Sequence, residues 1–189
     1  VSLLRRVRCQ EIDAFYTAAG YAYKLEPSAD AAVGCAAMAF KKGDIDGSVK
    51  FFDEAINLET DNAKKADNAY KAASVLASAK KLSQARSYAQ KAISFNENFG
   101  APYILIAQLY AGNYKWNDEP ALNKCTFFAA IDKLQRAKAV DPSVAEEANK
   151  LISSYSAYTP EAKDLFMLGY KAGDRITIGG WIGETTTIR

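Results

Sequence analysis

The stretch SVKFFDEAINLE, Ser48–Glu59, returns in altered form as ARSYAQKAISFN, Ala85–Asn96. Phe52, Ala55 and Ile56 of the first correspond to Ala89, Ala92 and Ile93 of the second, each 37 residues further on. The same offset carries Ala31, Gly34 and Gly43 onto Asn68, Lys71 and Lys80. Within each copy the apolar residues recur at helical spacing, and a break lies between two such runs. A unit of two helices repeated at a fixed period cannot bury its apolar face alone. It must stack on its neighbours, and this predicts an all-α solenoid.

Outward from that core the helix signals continue. Glu26-Pro27 closes a helix running to Leu25, because proline cannot continue a helix and restricts the residue before it. Ser28 is a suitable N-cap for a helix reaching Lys42, and Gly43-Asp44 supplies a tight turn into a partner helix, 45–59. After a turn at 60–62, with Asp61 or Asn62 as cap, a second pair spans 63–79 and 83–95. A third pair begins at Ala101-Pro102 and runs to Ala111. It resumes as one helix over 121–139, after the loop Gly112–Pro120. Amphipathic helices are expected at 143–157 and 160–172. The tail then alternates apolar and Thr residues at 175–178 and 185–188 around Gly179, Gly180 and Gly183, which reads as a short β-hairpin or an extended tail.

Composition narrows the function. Of 189 residues, 49% are hydrophobic and 24% charged, an ordinary globular balance. No apolar run approaches the ~20 residues needed to span a membrane. A net charge of +2 gives no footprint for nucleic acid, and Arg5, Arg6 and Arg8 read as one solvated helix face. Histidine is absent, which removes the commonest general base and a common metal ligand. Cys9, Cys35 and Cys125 form no CxxC, so no zinc site is expected; at most one disulfide could form between them. Asp53-Glu54 and Glu146-Glu147 are adjacent in sequence and do not share a helix face. Cys125 has no histidine to activate it, and the tail glycines do not lead into a helix, so they fail as a phosphate loop. The expectation is a protein without catalytic residues, metal or cofactor. The chain begins without Met and within an expected helix, which reads as a processed or trimmed piece with earlier repeats and a targeting signal upstream.

The pattern resembles the tetratricopeptide repeat, a helix–turn–helix unit of about 34 residues. Cys35-Ala36, Gly43, Ser48, Phe52, Ala55 and Thr60 fall on its positions in one unit. Ala72-Ala73, Ala85, Ala89, Ala92 and Glu97 do so in the next, and Tyr103, Ile106-Ala107, Tyr110, Ala130, Leu134, Ala137 and Pro142 in the third. Ala22 and Pro27 match the end of a truncated unit. Unit ends at Pro27, Thr60, Glu97 and Pro142 give intervals of 33, 37 and 45. The resemblance implies a right-handed α-solenoid over 1–142, with a partial unit 1–27 and units 28–61, 62–99 and 100–142. Capping helices would occupy 143–172 and the hairpin or tail 173–189. The region 121–189 is also similar to the C-terminal part of Bacteroidetes-type envelope proteins carrying this repeat. That implies a bacterial cell envelope, periplasmic setting.

In this family the first helix of each pair lines a concave groove that takes a peptide or helix of a partner protein. Carried over, the groove residues are Asp30, Val33, Ala37, Phe40 and Lys41, then Tyr70, Ser74 and Ser78, then Ile104 and Gln108. The groove could instead be filled by another segment of the same chain. Some members grip a carboxylate with basic residues on these helices; here Val33 and Ala37 stand at two of those positions, and 101–111 contains no basic residue, so the resemblance does not extend to that role. A second surface is suggested by Tyr114 and Trp116 on the 112–120 loop and by Trp181 in the tail. The loop aromatics could anchor a partner or fold back on their own helices. The hairpin could act as a lid on the last helices or pair with another chain to build a homo-oligomer.

Overall fold

The computed structural model describes residues 13–189. The readings on Val1–Arg8 and on Cys9 lie outside the described residues. The chain divides into two compact units, the first ending at Asn96 and the second running from Glu97 to Arg189.

The first unit is a run of helices, each packed on the next: α1 (Asp13–Leu25), α2 (Ala29–Lys41), α3 (Ile45–Leu58), α4 (Asn62–Ser78) and α5 (Leu82–Phe95). Polar side chains start three of them. Ser28 Oγ accepts from the Ala31 amide at 3.3 Å, Asp44 from Gly47 at 2.8 Å and Asp61 from Ala63 at 2.7 Å. These caps satisfy amides that have no partner inside the helix.

The two hairpin turns are the same turn, 37 residues apart. At the first, Gly43 has φ +79°, its amide donates to Phe40 O and the Asp44 amide to Ala39 O, both at 2.9 Å. At the second, Lys80 has φ +56°, its amide donates to Ala77 O at 3.0 Å and the Lys81 amide to Leu76 O at 2.9 Å. This is the paired-bond helix stop that favours glycine, and Lys80 adopts it with a side chain attached.

Small residues let the helices approach. Ala36, Ala55, Ala72, Ala73, Ala89 and Ala92 are all sealed from solvent. Phe52 packs against Ala36, Ala72 and Val75, joining α2, α3 and α4. In the second copy its place is taken by Ala89, while Tyr88 on α5 packs back onto the Phe52 cluster. The repeats are also tied by polar contacts. Lys91 pairs with Asp53 at 3.0 Å, the Tyr88 phenol donates to the same carboxylate, and the Tyr23 phenol donates to Glu54.

The second unit departs from the plain pair. Its elements are α6 (Gly100–Gly112), α7 (Pro120–Lys124), α8 (Thr126–Val140), a 3-10 turn (Pro142–Val144), α9 (Ala145–Ser156), α10 (Ala162–Met167), β1 (Arg175–Thr177) and β2 (Thr185–Thr187). The single helix expected over 121–139 is broken at Cys125. There the Cys125 amide reaches only to Leu122 O at 3.1 Å, and Cys125 O takes the Phe128 amide at 3.0 Å, a tightened three-residue turn. The helix expected to Ala172 stops at Met167, because Gly169 at φ +85° closes it with the same paired-bond stop, Gly169 N–H to Phe166 O and Tyr170 N–H to Leu165 O.

The antiparallel hairpin pairs Ile176 with Thr186 and buries Ile176, Ile178, Ile182 and Ile188. It is pinned to its own unit. Glu184 takes the Tyr110 phenol at 2.6 Å and pairs with Lys133 at 2.7 Å; Thr186 donates to Asp132 at 2.6 Å, and Arg189 pairs with the same carboxylate. A two-stranded sheet is marginal alone, and these contacts supply what it lacks.

Candidate functional site

The face expected on α2 and α4 is partly open. Phe40 is 43% exposed, a large ring left in solvent near the end of α2, with exposed Asp30 and Lys41 on the same helix. Val33 is half-buried against the Phe52 cluster, and Ala37 is half-buried. Tyr70 leans on Ile56, Ala69 and Ala92 and is half-buried. Ser74 and Ser78 are exposed, and their hydroxyls donate to their own helix, to Tyr70 O at 3.0 Å and Val75 O at 2.7 Å. Of the two groove positions expected on α6, Ile104 is 4% exposed and belongs to the core of its unit, offering no surface to a partner. Gln108 is exposed and lines a different feature.

That feature is a cleft of about 430 Å³ in the second unit. Its walls are the C-terminal end of α6 (Gln108, Ala111, Gly112), Tyr114 of the following loop, Lys124, Phe127 at the start of α8, Tyr155 in the last turn of α9 and Tyr158 in the turn just beyond it. Phe127 is the hub. Tyr158 stacks on it at 5.5 Å between ring centroids, Tyr114 lies at 5.4 Å and Tyr155 at 5.9 Å. Burial raises the Tyr155 phenol above its ordinary range, so it stays protonated and a donor. Sequence reasoning found Gln108 and Tyr114 separately and missed Phe127, Tyr155 and Tyr158.

The loop that shapes this cleft is organised by Asn123, which is 8% exposed. Its carbonyl oxygen accepts from the Trp116 amide at 2.7 Å and the Asn117 amide at 2.8 Å, and its amino group donates to Asn117 O at 2.7 Å. Trp116 folds back: its indole N–H donates to Thr126 at 3.1 Å, and its ring lies so close to Gly179 that a Cβ there would come within 2.6 Å. Trp181 meets Tyr110 edge-on at 5.6 Å. Both tryptophans thus pack within their own unit.

The thiols are poor nucleophiles. Cys35 and Cys125 are buried and free, and burial pushes the Cys125 thiol up to about 11. Among the described residues no group of three or more Cys, Asp and Glu side chains could hold a metal ion, and no helix is long and apolar enough to cross a membrane.

No family model and no curated protein matches this chain. Solved structures do. YrrB, a TPR protein with an unusual peptide-binding site, is 22% identical with a TM-score of 0.57, over 89% of this chain and 79% of that one. The TPR2B domain of yeast Sti1, in its pHsp70 complex, is 23% identical with a TM-score of 0.53, over 68% of this chain and 96% of that one. MamA is 15% identical with a TM-score of 0.52, over 80% and 85%. At these identities the likeness shows the fold: an all-α solenoid-type fold of tetratricopeptide-like helix pairs.

Proposed function

We propose that this chain is a non-catalytic scaffold that binds a peptide or helix of a partner protein along α2 and α4, the first helices of the two pairs in its first unit. The observation that carries the reading is Phe40, a large aromatic left 43% exposed on α2 beside Lys41, on the helix where the resemblance places the groove. Two proteins of the same fold support it by their own descriptions, YrrB with its peptide-binding site and the Sti1 domain in complex with pHsp70. The absence of histidine and the raised thiols leave little for nucleophilic or acid–base chemistry. Assembly through the hairpin and the 112–120 loop is less favoured, because Ile176, Ile188 and the Trp116 ring are already packed within the chain. A periplasmic, cell-envelope setting belongs to this reading through the resemblance of 121–189. Cell fractionation tests it, and recovery in the cytosol would remove it.

The test is recovery of crosslinked partners by wild type and by Phe40→Asp. A charge on the exposed ring position should abolish recovery while the helical circular dichroism is unchanged. Equal recovery by both would remove the α2 face from consideration.

A further inference from the structure

The cleft around Phe127 has a one-sided chemistry. Its lining offers aromatic faces from Tyr114, Phe127, Tyr155 and Tyr158, donors from the phenols and the Gln108 carboxamide, and one cation, Lys124. It contains no carboxylate. Lys124 is exposed and makes no ion pair among the described residues. Glu161, the acid that feels its charge, is held by Lys163 at 2.9 Å. At about 430 Å³ the space suits one or two side chains and not a helix. A terminal carboxylate is best held by several converging charged donors, whereas here a single cation flanks an aromatic floor.

We propose that this cleft seats an internal acidic–aromatic segment of a partner protein. An aromatic or large aliphatic side chain would lie against Phe127 and the tyrosine rings, and a neighbouring Asp or Glu would pair with Lys124. The ring contacts give the segment its grip and the lysine sets its register. This site belongs to the second unit and does not depend on the α2 and α4 face.

The probe is the capped, fluorescently labelled heptapeptide acetyl-Gly-Ser-Asp-Phe-Asp-Ser-Gly-amide, titrated against the full chain by anisotropy. Saturable binding below ~1 mM is expected, weakening as salt is raised. Lys124→Glu and Tyr158→Ala, both at exposed positions, should each weaken it by ~10-fold or more with unchanged circular dichroism. Phe40→Asp should leave it unchanged, which separates this site from the α2 face. No binding, equal binding of the peptide with both Asp replaced by Lys, or equal binding with Phe replaced by Ser would overturn the proposal. Tighter binding of acetyl-Gly-Ser-Phe with a free carboxylate would also overturn it, by assigning the cleft to chain ends.

Discussion

The two units solve the same packing problem differently. From α2 to α5 the first unit repeats a single device: alanines at the crossings, one left-handed turn residue per pair, and a ring or two between pairs. The second keeps the crossing alanines, Ala107, Ala130 and Ala137, but inserts a loop, breaks its second helix and closes with a hairpin. In the first unit the polar contacts tie neighbouring repeats, as Asp53 does with Tyr88 and Lys91. In the second they hold irregular backbone, as Asn123 does for the loop and Glu184 for the tail. The regular repeat leaves the Phe40 ring open on α2. The irregular one, where helix ends and a loop converge, leaves the aromatic cleft.

That contrast can be broken at its joints. Phe52→Ala should have the largest effect, about 3–5 kcal/mol of lost stability by urea unfolding, since Ala36, Ala72 and Val75 cannot collapse onto the space together. A loss under about 1 kcal/mol would mean that the Phe52 cluster does not hold the pairs together. Asn123→Ala should cost about 1–3 kcal/mol by leaving the Trp116 and Asn117 amides unpaired, and should make the 113–119 amides exchange faster. Lys80→Gly should raise stability by about 0.5–1 kcal/mol, relieving the left-handed side chain, whereas Gly43→Ala should lower it by a similar amount. If both substitutions were neutral, a side chain at the left-handed position of these turns would carry no cost, which would contradict the strain read from the two φ angles.

The smallest effect is pH-dependent. Asp141 is held below its ordinary pKa by the Ser143 hydroxyl and by the Gly100 amide, which donates at 3.1 Å. A carboxylate depressed in the folded state adds stability above its unfolded pKa, near 3.9, and loses it as pH falls through the lower folded value. The melting-temperature advantage of wild type over Asp141→Asn should therefore hold at neutral pH and shrink below about pH 4. A gap that widens in acid would contradict this assignment.

The regular unit was legible because its signals are local. Ser28, Asp44 and Asp61 cap where short polar residues should, and helical spacing picks out the buried Ala36, Phe52 and Ala55. The second unit was less so. The break at Cys125 carries no glycine or proline to announce it. Ile104 sits in YILIA, apolar nearly all round, so periodicity could not say which face turns inward. The end of α10 was expected at Ala172, although Gly169 comes earlier in the chain with the conformational freedom to stop the helix. The cleft gathers Tyr114, Phe127, Tyr155 and Tyr158 from three segments, and the one sequence trace was the Tyr155, Tyr158 spacing at a helix end.

The central claim is that the chain works by holding another protein on its open repeat face. The direct measurement places a photo-reactive residue at position 40 and, as a control, at exposed position 147, then crosslinks in the native cell. The account predicts one discrete protein adduct from position 40 and none from 147. Adducts equal at both positions, or a crosslink from position 40 only into the chain itself, would contradict it.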